Sequence, residues 1–166
     1  LNITPDHLNR HHTMENYIAC KEAVTNNQTA EDTVVLNYED EVLRNFGQGL
    51  EQKVVYFSSA NRLQNGLYLE EDNIICADNG ITSVLMNIHD MKLLGTHNVE
   101  NVMAAIGMSM AMGVPTESII KSVCEFTAVE HRIEYVRTVK GVDYYNDSKG
   151  TNPDAAIKGI MAMNRK

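Results

Sequence analysis

No long apolar run, no paired cysteines and no excess of positive charge occur in this sequence, and each absence removes a class of protein. No apolar stretch approaches the ~18 residues that a membrane-spanning helix needs, and no signal peptide is recognisable. The three cysteines, Cys20, Cys76 and Cys124, are far apart and odd in number, and no Cys-x-x-Cys occurs. A disulfide framework and a zinc ribbon are therefore not indicated, and reduced thiols of a cytosolic protein are expected. Lys and Arg total 14 against 22 Asp and Glu, a net charge of −8. That balance argues against nucleic acid and against an anionic membrane surface as partners. It leaves room for a phosphate ligand, which needs only local cations and backbone N–H groups. A Gly-rich loop ending in Gly-Lys-Thr/Ser, the usual phosphate cradle, is absent as well. So are internal repeats and low-complexity segments.

What is present is a globular composition, 43% apolar over 166 residues, enough for one domain with a core or for parts of two. The runs at residues 33–37 and 53–57 read as buried parallel strands. Helical spacing marks residues 13–26, with Thr13 as cap, and residues 40–46, which Gly47 and Gly49 should end. Residues 1–6 read as a strand end and turn. Short strands follow at 66–69, 73–77 and 82–87, with 91–93 as a further candidate, and look like an antiparallel appendage. An Ala- and Met-rich helix is expected over 98–112, stopped by Gly113 and Pro115, with Met103, Met108, Met110 and Met112 as core filler. A second helix covers 119–126. A hairpin of 133–138 and 142–145 turns at Lys140-Gly141. Together these predict an α/β fold. The chain opens as though leaving a strand and closes on a basic tail, Asn164-Arg165-Lys166, so a fragment of a longer protein is expected.

The most informative stretch is Val142-Asp143-Tyr144-Tyr145-Asn146-Asp147-Ser148-Lys149-Gly150-Thr151-Asn152-Pro153-Asp154. A strand breaks into a polar loop and then enters a helix, with Asn152 as N-cap, Pro153 at the first position and Asp154 at the positive helix end. The loop offers a carboxylate, an ammonium and two hydroxyls, which can grip a polyanion. A solvated, well-capped connection accounts for the same residues.

Three other constellations carry chemistry, each with a plainer reading beside it. His7 follows Asp6 in a loop after a predicted strand, where an imidazole can bind a divalent metal. Lys21 and Tyr17 share the next helix face. A lysine carbamylated by CO₂ would mimic a carboxylate ligand, whereas a surface lysine and a hydrogen-bonded histidine need no metal at all. His11 and His12 extend the histidine group towards a zinc site, but lack a Cys or acidic partner. Asn98 and Asn101 lie on one face of the Ala-rich helix. Their amides can read a nucleobase edge or merely cap the helix. Arg132, beside His131, can hold a phosphate bidentately or pair with Glu130 or Glu134.

In order along the chain, these motifs resemble the Mur ligase family. The segment from Leu1 through Asp6-His7 to Tyr17 resembles the family's central-domain signature. Gly95-Thr96-His97-Asn98-Val99-Glu100-Asn101 resembles its nucleotide-binding helix. Glu130-His131-Arg132-Ile133-Glu134 and the Asp147-Ser148-Lys149-Gly150-Thr151-Asn152 loop resemble the C-terminal domain. The last of these is similar to the branch that adds D-glutamate.

The resemblance implies a Rossmann-like central ATPase domain over residues 1–128 with a small antiparallel strand region. The start of an α/β amino-acid-binding domain follows over 129–166. It implies an ATP- and Mg²⁺-dependent amide ligase of peptidoglycan precursor synthesis in the bacterial cytoplasm, acting as a monomer. UDP-N-acetylmuramoyl-L-alanine and D-glutamate would be its substrates. His7 and a carbamylated Lys21 would bind metal. Asn98, Asn101, Arg132 and Asp147 would bind ATP, with His131 and Arg132 at its phosphates. Lys149 and Thr151 would lie where the γ-phosphate meets D-glutamate. The chain alone is expected to be inactive, lacking the phosphate cradle, the UDP-binding domain and further D-glutamate contacts. Two local departures are His12 and Ala128, near which the family usually has glycine. Other Mur ligases, a folate polyglutamate ligase and a non-catalytic nucleotide-binding module are the alternatives, with a histidine metal-binding protein after them.

Overall fold

The computed structural model describes residues 1–127 and 129–163, the side chain of Asp154 excepted. Ala128, on which the expected domain boundary and one departure from the family fall, lies outside the described residues. So does the basic tail, residues 164–166.

A five-stranded mixed sheet organises residues 33–87. Its strands are β1 (Thr33–Asn37), β2 (Lys53–Ser58), β3 (Gly66–Glu70), β4 (Asn73–Asp78) and β5 (Ile81–Asn87), in that spatial order. β1 and β2 run parallel, Val35 opposite Val55. β3 is also parallel to β2, through Phe57 opposite Leu67 and Ser58 opposite Tyr68. β4 and β5 complete an antiparallel meander. The short strands are therefore a continuation of the parallel sheet as well as an antiparallel edge. Phe57, Leu67 and Ile74 lie inward on it, under Val102, Met103 and Ile106 of the helix above.

That helix is α4 (Thr96–Ala111), and α5 (Thr116–Glu125) packs beside it. α4 begins at Thr96 rather than Asn98, because Gly95, at φ 90°, turns the chain in. Met103 is buried and Met110 packs partly against the core, but Met108 and Met112 are exposed, so the methionine stripe is only half core. The 91–93 strand does not form. A 3-10 turn, Ile88–Asp90, folds the chain off the sheet and buries Met91 beneath it.

On the other side of the sheet, α3 (Glu41–Gln48) runs through Gly47 instead of ending there. Gly47 is buried, and the Tyr56 hydroxyl of β2 occupies the space that a Cβ would need. Asp40 caps α3 by accepting from Leu43 N at 3.1 Å, and its second oxygen accepts from Ile3 N. One carboxylate thus ties the start of the chain to the carboxyl end of β1. No strand forms over residues 1–6; backbone pairing there is replaced by this side-chain clasp.

Before the sheet come α1 (Leu8–His11), a single turn, and α2 (Met14–Glu22), continued by a 3-10 turn, Ala23–Thr25. Thr13 caps α2 through Asn16 N at 3.2 Å, as its sequence predicts. Tyr17 is the one buried residue of α2.

After the central elements, β6 (Glu134–Val139) and β7 (Val142–Asn146) form a separate antiparallel hairpin. Lys140 and Gly141, at φ 52° and 79°, supply the tight turn. The polar loop leads into α6 (Pro153–Met161), with Asn152 accepting from Ala155 N at 2.8 Å and Pro153 at the first turn. Both caps are the ones the residue types call for.

Candidate functional site

The polar loop, the start of α4 and the first residues of the chain enclose a cleft of about 360 Å³. Asn101, Arg132, Asp147, Lys149 and Thr151 all line it, so five of the sequence-selected residues meet in one place. Asp6, His97, Glu100 and Lys158 line it as well. Beside it lies a second pocket of about 400 Å³, walled by Phe126, Tyr135, Tyr145 and Leu94 with Asn98. Asn101 and Arg132 belong to both cavities. A guanidinium and an amide, with Ile133 beside them, thus form the shared wall between an aromatic pocket and a polar cleft.

The wall is held by short local bonds. Asn98 is buried in the first turn of α4, where its Nδ2 donates to Leu94 O at 2.7 Å. Its Oδ1 accepts from Asn101 Nδ2 at 3.3 Å. Both ends of the Asn98 amide are used, which fixes Asn101 with its carbonyl oxygen left for the cavities. Arg132 makes no ion pair among the described residues, and the alternative pairings with Glu130 or Glu134 do not form there. Its neighbour His131 is turned away at φ 68°. The His131 ring meets Asn146 Nδ2 at 2.8 Å and Glu134 Oε2 at 3.8 Å, and it lines neither cavity.

The two loops of the C-terminal segment are stitched together. Lys149 N donates to His131 O at 3.0 Å. Ile133 N donates to Asp147 Oδ1 at 3.2 Å. The second Asp147 oxygen faces Gly150 and Gly159, at each of which an added Cβ would stand 2.8 Å away. Asp147 therefore anchors the fold of this segment while presenting its carboxylate edge to the cleft.

Charge divides across the cleft. Asp6 and Glu100 stand on the side of the chain start and α4, and Arg132, Lys149 and Lys158 on the side of the hairpin and α6. Ser59 Oγ, just past β2, donates to Glu100 Oε1 at 2.7 Å and connects the acidic side to the carboxyl ends of the parallel strands. Glu39 and Asn61 bond one another at 2.8 Å on the same rim. His97 sits within electrostatic reach of Lys158, Arg132, Glu100 and Asp147. Burial first, and then the two cations, push its imidazole below the ordinary histidine value. It is neutral at neutral pH.

The metal-candidate residues lie apart from one another in contact terms. His7, at φ 52°, has an exposed ring 3.6 Å from Asp6 Oδ2. Lys21 Nζ stands 5.3 Å from the Tyr17 ring centroid, and His11 packs on the same ring edge-on. Lys21, Asp40 and Glu100 are all within electrostatic reach of the Leu1 nitrogen, which puts Lys21 near the acidic side of the cleft. Among the described residues no three His, Cys, Asp or Glu side chains converge as a metal cage, so His7, His11 and His12 do not gather into a zinc site. The donor types nonetheless suit Mg²⁺: carboxylates at Asp6 and Glu100 are hard oxygen donors, and a carbamate on Lys21 would add another.

His97, Glu100 and Lys158 escaped the sequence reading. His97 and Glu100 adjoin Asn98 and Asn101 in one motif, a signal that was available. Lys158 is one lysine in a helix, with no local pattern to separate it from a solvated one.

A model of the Mur ligase middle domain matches residues 1–109. A UDP-N-acetylmuramoylalanine--D-glutamate ligase of Lachnoclostridium phytofermentans is 53% identical over 166 residues, covering 100% of this chain and 37% of that protein. The protein of the same name from Lachnospira eligens is 56% identical over 163 residues, covering 98% of this chain and 36% of its own length. The chain thus spans a little over a third of the relatives it matches. Among solved structures, a pseudomurein peptide ligase type C from Methanothermus fervidus superposes with a TM-score of 0.74 at 18% identity, over 99% of this chain and 40% of that one. MurF from Acinetobacter baumannii superposes with a TM-score of 0.74 at 15% identity, over 98% of this chain and 36% of that one. These two likenesses concern the fold alone. No described helix is long and apolar enough to cross a membrane. The sequence match over residues 1–109, the mixed sheet beneath α4 and the cleft at its first turn agree on one conclusion: the chain belongs to the Mur ligase family.

Proposed function

We propose that the chain carries the nucleotide-facing part of an ATP- and Mg²⁺-dependent ligase that joins D-glutamate to UDP-N-acetylmuramoyl-L-alanine through an acyl phosphate, in bacterial cytoplasmic peptidoglycan precursor synthesis. The observation that carries the reading is the pair of cavities sharing Asn101 and Arg132. An aromatic pocket edged by amides suits a purine, which stacks on rings and offers donors and acceptors at its rim. A cleft with three cations next door suits the phosphates that follow a purine in ATP. The similarity to the two UDP-N-acetylmuramoylalanine--D-glutamate ligases supports the choice of amino acid.

In this reading Asn98 fixes Asn101, and Asn101 meets the base. Arg132 spans base and phosphates. Lys149 and Thr151 face the γ-phosphate and the incoming D-glutamate, while Asp147 keeps their loop in register. His131 acts from outside the cleft by holding the backbone of Lys149. Asp6, His7 and a carbamylated Lys21 are the candidates to hold Mg²⁺, which when bound would neutralise phosphate charge. Residues 1–128 belong to the central ATP-binding domain and 129–166 to the start of the amino-acid-binding domain. The phosphate cradle comes from elsewhere in the enzyme.

Two substitutions in the full reading frame that contains this chain test the assignment by ATP titration calorimetry. Asn101→Ala and Arg132→Ala should each weaken ATP binding by about tenfold or more, the worth of one charge-assisted or well-placed hydrogen bond. Unchanged affinity in both would remove the nucleotide from these cavities. Lys21→Ala should abolish turnover and be partly restored by a short carboxylic acid. Turnover that survives Lys21→Ala would exclude the carbamate.

A further inference from the structure

α6 faces the wrong way for an isolated amphipathic helix. Its large apolar residues Ile160 and Met161 are 74% and 80% exposed. Its inward face is built from Ala155, Lys158, Gly159 and Ala162, at the spacing of one helix stripe. Gly159 and Ala162 are buried and Lys158 is half-buried. A Cβ on Gly95 would stand 2.6 Å from the Ala162 methyl, so this stripe is seated directly on the turn that starts α4. Lys158 is thus the one long side chain on a face otherwise made of small residues, and it is pointed at the cleft. Among the charged groups acting on His97 it ranks first.

No ion pair to Lys158 occurs among the described residues. Of the cleft's carboxylates, Asp6 and Glu100 stand on the opposite side, and Asp147 turns one oxygen to Ile133 N and the other to Gly150 and Gly159. Arg132 and Lys149, the other cations of the cleft, make no ion pair among the described residues either. Arg132, Lys149 and Lys158 thus gather on one side of the cleft, a local concentration of positive charge that suits a polyanion.

We propose that Lys158 is a third phosphate-binding residue of the cleft, contacting the polyphosphate of the nucleotide alongside Arg132 and Lys149. This rests on the nucleotide reading of the cleft and goes beyond it by assigning a residue on α6. Because α6 enters through the cap at Asn152 and seats on Gly95, the ammonium is held at the cleft by the packing of the helix. The small stripe makes that approach possible; a larger residue at 159 or 162 would hold the ammonium back.

The test uses the full-length enzyme with ATP and D-glutamate as probes. Lys158→Met should weaken ATP binding about tenfold, as expected for loss of one charge-assisted contact, and Lys158→Arg should recover most of it. The KM for D-glutamate should stay within about twofold. A second readout is the His97 imidazole followed by NMR. In the wild type its pKa should rise on ATP binding, because the anion masks the nearby cations; in Lys158→Met it should already be raised without ATP. Unchanged ATP affinity in a folded Lys158→Met protein overturns the proposal. So does a rise confined to the D-glutamate KM, which would make Lys158 a carboxylate binder. If Lys158→Met does not fold, Lys158→Gln carries the same comparison, and a loss shared by Asp154→Ala with no change in ATP affinity would make the lysine an intrahelical ion-pair partner. A wild type that binds no ATP would fail the nucleotide reading itself, a separate result.

Discussion

The carboxylate of Asp147 rests against the bare backbone of Gly159: a methyl group there would lie 2.8 Å from Asp147 Oδ2. The same oxygen faces Gly150 at an equal distance, while the other oxygen accepts from Ile133 N at 3.2 Å. Glycine is needed at 159 for close approach rather than for its backbone freedom. Gly159→Ala should therefore push Asp147 aside and break the bond to Ile133. Leaving Ile133 N and the Asp147 carboxylate without each other costs about 1–3 kcal/mol, of which alanine's better helix propensity returns up to about 1, so a net loss of up to about 2 kcal/mol is expected. A thermal melt checks it, and a variant as stable as the wild type would contradict the packing account.

His12 stands at φ 67° and ψ −41°, a left-handed backbone between two short helices. A side chain with a Cβ is strained there, where glycine is not. His12→Gly should raise stability by about 0.5–1 kcal/mol, with the gain from relieved strain partly offset by the freer unfolded chain. Denaturant midpoints of the two proteins decide it; a destabilised His12→Gly would show that the imidazole makes a contact that outweighs the strain.

His97 supplies a pH prediction with a definite sign. Burial, followed by Lys158 and Arg132, lowers its folded-state value from the ordinary 6.5, against the pull of Glu100 and Asp147. As pH falls through 6.5 the unfolded chain takes up a proton that the folded chain still refuses. The stability contributed by neutral His97 is full above that pH and is lost as pH falls towards the lowered folded value. Melting temperatures measured from pH 7.5 down to about 5 should fall more steeply for the wild type than for His97→Gln. Parallel curves would mean that His97 ionises alike in both states.

Gly47 illustrates the same economy of space inside the sheet layer. The Tyr56 hydroxyl donates to Arg44 O at 3.1 Å and fills the place of a side chain on Gly47. Burial chiefly raises the Tyr56 phenol above its ordinary value, so the neutral donor persists at working pH. Gly47→Ala should cost about 1–3 kcal/mol by overpacking, despite alanine's better helix propensity. A Gly47→Ala, Tyr56→Phe double variant should recover part of the loss, since the clash is with the hydroxyl. No recovery would place the strain elsewhere.

Most elements were legible because their signals are local. The apolar runs of β1 and β2, the caps Thr13 and Asn152, and the Lys140-Gly141 turn all formed where their residue types demand. What could not be read was set by distant partners. The parallel joining of β3 to β2 rests on two residue pairs remote in sequence. Gly47 looked like a helix stop because the hydroxyl of Tyr56 is invisible to a local pattern. The four-residue α1 is too short for periodicity, and Met91 looked strand-like although its burial comes from the core beneath a 3-10 turn. In the cleft, motif residues such as Asn101, Arg132 and Lys149 were named in advance. Lys158 was not, because only tertiary packing reveals that α6 turns its small face inward.

The most direct test of the account is ATP-dependent phosphate release by the full-length enzyme on UDP-N-acetylmuramoyl-L-alanine, comparing D-glutamate with L-lysine, meso-diaminopimelate and L-alanine as the amine. Release with D-glutamate and background with the other three is the predicted result. Equal release with another amino acid, or none with any, would contradict it, and in the latter case the cleft would be left as that of a non-catalytic nucleotide-binding module.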